Sequence, residues 1–303
     1  MNAPHWPGTE ERIAGRVVHV RTSASDDGWR PPAVMVHGLG GQSTNWTDLM
    51  AEMRADLDAW AVDLPGFGWS PPPSDNDYTV ATDADVVCGL LERLHNERDE
   101  RVHLVGNSLG GAVSVLAAAR RPDLVATLTL ISPALPDLRP RRDTMGVPLV
   151  ALPGLGRRVY TRLARVPAER QVEGMVALNY ADAETFTPER RAEAVAEVQR
   201  RLALPYAGDA LSGAARSLLR SFVEPGPRGL WGAAGRVECP TLVIYGGRDR
   251  LVDPHRSHRA ARHLPHAQIV TLPTVGHVAQ MEDPALVARF VRPLLTGRRA
   301  RTP

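Results

Sequence analysis

Apolar residues fall into two alternating kinds of run along this chain. Short continuous stretches, Ala33 to His37, Trp60 to Asp63, Val102 to Val105, Leu124 to Ile131, Thr241 to Tyr245 and Gln268 to Leu272, predict strands. Ile13 to Arg21 is a further β-rich run, and Pro31-Pro32 prevents a helix ahead of Ala33. Between these lie segments with helical spacing: Ser43 to Leu57, Val80 to Arg98, Leu109 to Arg120, Pro254 to Leu264 and Pro284 to Leu295. Strands that are apolar throughout suit a sheet covered on both faces. Their alternation with helices predicts an α/β fold with right-handed crossovers and a mostly parallel sheet. The alternation stops once. Residues 133–237 show no convincing strand but have helical spacing at Arg157 to Val166 and Pro188 to Leu202. The expected organisation is therefore a core of 1–132 plus 238–303, with a helical insertion at 133–237.

Chemistry enters at Gly106-Asn107-Ser108-Leu109-Gly110-Gly111, between a predicted strand and a predicted helix. A serine at the tip of a sharp strand-to-helix turn, with small residues two positions to either side, is a candidate nucleophile. Acyl transfer also needs a base, an acid that orients it, and donors for the oxyanion. His277, in the loop after the last strand, can reach the carboxyl ends of the strands and is the candidate base. Asp249, just past the preceding strand, is the candidate acid. Asp253 competes with it but precedes Pro254 in the manner of a helix cap, and Asp137 competes from the end of an earlier strand. His37-Gly38-Leu39-Gly40-Gly41 follows the strand that starts at Ala33. The N–H groups of Leu39 and Leu109 are the candidate oxyanion donors, each worth about 3 kcal/mol in the transition state. Asn107, Gly38 and Gly40 are candidates for substrate contact. His37 is expected to hold its loop, and Asp63, in Asp63-Leu64-Pro65-Gly66-Phe67-Gly68, to belong to a turn.

Composition narrows the classes. The 303 residues carry a net charge of +2, which lacks the concentrated basic excess of a nucleic-acid binder. There is no lysine, so Schiff-base and P-loop chemistries are excluded. Cys88 and Cys239 lie far apart in apolar segments, without zinc spacing. They are expected to be free thiols in a reducing compartment, with the cytoplasm as default. No apolar run is long enough to predict a membrane span. In the insertion, Arg139, Arg141, Arg142, Arg157, Arg158, Arg162 and Arg165 surround the apolar stretch Val147 to Leu155. A lid making peripheral contact with lipid would carry such a mix, and so would a solvated surface.

The segments HGLGG, DLPGFGWS, GNSLGG, YGGRD and GHVAQMEDP, with the order Ser108, Asp249, His277, resemble the α/β-hydrolase superfamily over nearly the whole length. The resemblance implies an eight-stranded type of sheet with helices on both faces, and a helical cap at the insertion. It also implies serine hydrolase chemistry on a small-molecule ester or acyl substrate, with no cofactor or metal. A serine at the elbow sets the chain apart from relatives that use aspartate there. It is similar as well to hydrolases of carbon-carbon bonds in vinylogous diketones, at GNSLGG, at GRD followed by Arg250, and at GHVAQ. Those enzymes usually carry Gly-Pro-Gly in the oxyanion loop, where this chain has Gly40-Gly41-Gln42.

Overall fold

A computed structural model describes residues 3–24, 28–136, 146–152 and 155–297. Asp137, Arg139, Arg141 and Arg142 lie outside the described residues, as do the side chains of Val147, Leu155 and Arg157. Eight strands form one sheet: β1 (Gly8–Ile13), β2 (Arg16–Thr22), β3 (Pro32–Val36), β4 (Asp58–Val62), β5 (Val102–Asn107), β6 (Val125–Ile131), β7 (Thr241–Gly246) and β8 (Ala267–Leu272). Their order is β1-β2-β4-β3-β5-β6-β7-β8. β1 and β2 pair antiparallel, as do β2 and β4, and every other pairing is parallel.

The run Ile13 to Arg21 is corrected by the structure. Ala14 (φ 49°) and Gly15 (φ 77°) form a two-residue turn between β1 and β2, opposing Ile13 to Arg16. Positive φ at both central positions matches the twist of a tight hairpin. β1 escapes the pattern because Gly8–Ile13 is an edge strand whose residues are mostly exposed and polar. The central strands β3, β4 and β5 are buried at every position, as parallel strands covered on both faces must be.

Helices cover the two faces. α2 (Val80–Arg98) and α3 (Leu109–Arg120) pack on one face, with Leu90, Leu91, Leu94, Val113 and Val115 in the larger core. α1 (Thr47–Glu52) packs on the other with the C-terminal helix Pro284–Leu295, through Leu49, Met50, Val287 and Phe290. The expected helix Ser43 to Leu57 is broken. Ser43–Trp46 is a 3-10 turn, and after Glu52 the chain turns toward β4 with Leu57 N donating to Met53 O at 3.0 Å.

Between β6 and β7 every described element is helical: α4 (Gly146–Ala151), α5 (Leu155–Leu163), α6 (Ala168–Asn179), α7 (Pro188–Leu202), α8 (Ala207–Val223) and α9 (Leu230–Ala234), with 3-10 turns between. α9 packs on α3, and Leu230, Ala233, Ala234 and Val237 belong to the larger core. Ala210, Ala214 and Leu218 of α8 belong to the same core. α6 and α7 form a separate small core around Val172, Val176 and Val198 that includes Val278, the neighbour of His277. After β7 come α10 (Ser257–His263), α11 (Ala279–Glu282) and α12 (Pro284–Leu295).

Candidate active site

Ser108 sits between β5 and α3 with φ 53° and ψ −118°, a backbone conformation that side-chain-bearing residues rarely adopt. Holding it costs on the order of 1–3 kcal/mol, so the surroundings must enforce it. They do so by closeness. A Cβ on Gly106 would meet the Gly110 carbonyl, and one on Gly110 would meet the carbonyls of Val36 and His37. Ser108 N donates to Ile131 O at 3.1 Å, and its carbonyl accepts from Gly111 N and Ala134 N, both at 2.9 Å. Leu109 opens α3, so its N–H is one of those for which the helix offers no acceptor.

Asp249 and His277 meet. His277 Nδ1 lies 2.9 Å from Asp249 Oδ2, with each residue only 3% exposed. The other carboxylate oxygen of Asp249 accepts from Leu251 N at 2.7 Å and Val252 N at 2.9 Å. Burial pushes the Asp249 pKa up, but the attraction and hydrogen bond of His277, with the Val252 N–H and the Ser132 hydroxyl, outweigh it and hold the carboxyl below its ordinary value. An ionised Asp249 accepts from Nδ1 of His277, and this pairing leaves Nε2 outside it. Asp253 is used differently: its side chain accepts from His255 N at 3.1 Å and caps the turn that leads into α10.

Asn107 draws these parts together. Its Nδ2 donates to Ile131 O at 3.0 Å and to His277 O at 3.1 Å, which brings the His277 loop against the elbow. The residue is 4% exposed, and its amide donors serve these two backbone carbonyls. Gly38 abuts the serine: a Cβ there would lie 3.1 Å from Ser108 Cβ. Gly40 has φ +71°, and its carbonyl accepts from Arg201 Nη1 at 2.9 Å.

His37 accepts from Leu64 N through Nε2 at 3.0 Å, and its Nδ1 lies 2.8 Å from Gly38 O. Burial lowers its pKa against the opposing pulls of Asp63 and the Gly38 carbonyl, so it stays a neutral brace for the loop. Asp63 is fully buried and accepts from Ser43 N, from Trp69 N at 2.9 Å and from His19 Nδ1 at 2.9 Å. It anchors the turn after β4.

Sequence reasoning missed Glu282. Its carboxylate accepts from Gly276 N at 2.7 Å, Ala181 N at 3.0 Å and Asp182 N at 2.9 Å, tying the loop that carries His277 to the end of α6. His277 N adds a bond to Asn179 O at 2.7 Å, and Arg250 Nη1 donates to Ala177 O at 2.6 Å. Gly276 must be glycine for this approach, because a Cβ there would lie 2.8 Å from Ala181 N. The only local sign was an acidic residue a few positions after Gly-His. Among the described residues no cluster of three or more His, Cys, Asp or Glu could hold a metal, and no helix is long and apolar enough to cross a membrane.

Sheet order, elbow and the pairing of Asp249 with His277 define a class, and comparison with known proteins agrees. Residues 31–284 match the family described as alpha/beta hydrolase fold, and the chain belongs to that family. Within it, the chain is 30% identical over 267 residues to a 2-hydroxy-6-oxononadienedioate/2-hydroxy-6-oxononatrienedioate hydrolase of Cupriavidus pinatubonensis, covering 85% of this chain and 84% of that protein. It is 32% identical over 259 residues to the dihydrolipoyllysine-residue acetyltransferase component of the acetoin cleaving system of Pseudomonas putida. That match covers 83% of this chain but only 60% of the longer protein. A thermophilic esterase from Thermogutta terrifontis superposes with a TM-score of 0.70 at 25% identity, covering 96% of this chain and 98% of the esterase. The protein is a hydrolase of this fold.

Proposed function

We propose that the protein is a serine hydrolase that cleaves carboxylic esters of an apolar small-molecule or acyl substrate. Ser108 attacks the carbonyl, and His277 takes the hydroxyl proton and returns it to the leaving alcohol. Asp249 fixes the imidazole tautomer, and the N–H groups of Leu39 and Leu109 bind the oxyanion. Water then releases the acid from the acyl-enzyme by the same proton path. The observation that carries this reading is the buried bond of 2.9 Å between His277 and Asp249, on a loop pinned by Asn107 to the serine elbow. Helices α4 to α8 act as a cap over the carboxyl ends of the strands and shape the acyl pocket. In this scheme no cofactor takes part.

A second reading has its own support. The relative in Cupriavidus is named for hydrolysis of an oxononadienedioate, and in this reading Ser108, His277 and Asp249 would serve cleavage of a carbon-carbon bond in a vinylogous diketone. Turnover of p-nitrophenyl esters from acetate to palmitate, beside a vinylogous diketone, separates the two. Ester hydrolysis that falls at least about a thousandfold in Ser108→Ala is the expected result. Fast diketone cleavage with feeble ester turnover would favour the second reading, and activity independent of Ser108 would refute both.

A further inference from the structure

The glycine loop 38–41 has almost no side chains to fix it, so the partners of its carbonyls decide where its N–H groups point. Gly38 O is held within the loop by Gly41 N at 3.0 Å and from the preceding residue by His37 Nδ1 at 2.8 Å. In a trans peptide the C=O and N–H point in opposite directions, so the N–H of Leu39 is aimed away from that turn. Gly41 N shares its peptide with Gly40 O, and Gly40 O is bound from outside the core. Arg201, on the last turn of α7, donates Nη1 to it at 2.9 Å. A Cβ on Gly40 would lie 3.6 Å from Leu211 Cδ1 of α8, so two helices of the insertion close on this one residue.

These bonds form a directed chain: Arg201 to the Gly40 carbonyl, the Gly41 N–H to the Gly38 carbonyl, and then the Leu39 N–H. Hydrogen bonds in series polarise one another, and a charged donor at the head strengthens each later one. We propose that Arg201 is a positioning residue that orients and polarises the Leu39 oxyanion donor through two peptide planes, so that the hole is completed by a helix of the insertion. The inference rests on the reading of Leu39 as an oxyanion donor.

Arg200 supplies the control. It stands beside Arg201 on α7 and also donates to a core carbonyl, Gly68 O at 2.6 Å, with its guanidinium 4.5 Å from the Trp69 ring centre. If these arginines only dock the helix, losing either should have the same effect. Arg200→Met, Arg201→Met, Arg201→Lys and Ser108→Ala are compared for kcat, KM and inhibition by an alkyl boronic acid that mimics the tetrahedral intermediate. Arg201→Met is expected to lower kcat about tenfold with KM within about twofold, and to weaken boronate binding by a similar factor. Arg201→Lys should recover part of that loss, and Arg200→Met should keep kcat within about twofold. Equal effects in Arg200→Met and Arg201→Met, or a change confined to KM, would overturn the proposal while leaving the serine mechanism intact. Should Arg201→Met not fold, Arg201→Gln, which removes the charge and keeps a polar side chain, decides: full wild-type kcat and boronate affinity would also overturn it. Turnover that persists in Ser108→Ala would instead overturn the reading on which it rests.

Discussion

Removing the Glu282 carboxylate should loosen the loop that carries His277, and the cost can be worked from its three partners. A hydrogen bond to a charged group contributes about 1.5–3 kcal/mol net when its donor cannot reach water, and far less when it can. Gly276 is buried, Ala181 is half-buried and Asp182 is exposed. The full loss falls on Gly276, a fraction on Ala181 and almost none on Asp182, giving about 3 kcal/mol for Glu282→Ala. Glu282→Gln keeps one carbonyl oxygen for Gly276 N and leaves Asp182 N to solvent, so about 1 kcal/mol should be lost with the charge. Urea unfolding at neutral pH measures both, read from the midpoint at constant m-value. kcat should fall in the same order, since Gly276 N, which donates to Glu282, is next in the chain to His277 N, which donates to Asn179 O. Glu282→Ala within about 0.5 kcal/mol of wild type, or Glu282→Gln as damaging as Glu282→Ala, would refute the reasoning.

Gly110→Ala should destabilise by about 3 kcal/mol or more and abolish turnover, because its Cβ would meet the backbone carbonyls of Val36 and His37, which cannot rotate aside. Urea unfolding and ester hydrolysis test this, and an active, stable variant would contradict it. His103, 7% exposed on β5 beside Thr127, has its pKa pushed by burial from 6.5 down to about 4. Between these values the unfolded chain binds a proton that the folded chain does not. Stability therefore holds above pH 6.5 and declines as pH falls, by about 3 kcal/mol from this residue by pH 4. Urea unfolding of wild type and His103→Gln at pH 7 and pH 4 should show the variant losing less. Parallel losses would remove His103 from the account.

How much was legible follows from the range of each signal. Apolar runs bounded by glycine and proline lie within a few residues of one another, so the central strands and the helices after them could be read from sequence. The elbow was legible for the same reason, since all its requirements fall within Gly106 to Gly111. Asp249 and His277 could be singled out because each follows a strand, and parallel strands end on one edge. β1 was not legible, because an exposed edge strand of GTEERI has no buried face to write an alternation into the sequence. The packing of α9 on α3 was not legible either, because it depends on a neighbour more than a hundred residues away and not on a local pattern.

The remaining assignments belong to tertiary structure alone. Asn107 was read as a substrate contact, and only the fold shows its amide bound to the carbonyl of a residue 170 positions away. Glu282 reaches back about a hundred residues to Ala181 and Asp182, and Arg201 reaches 161 residues to Gly40. Each partner is a backbone N–H or C=O, which every residue type but proline offers in full. The chain therefore determined which side chains could do the chemistry, through residue type and local spacing. The fold decided which of them meet, because a hydrogen bond to the backbone leaves no mark on the sequence of its partner.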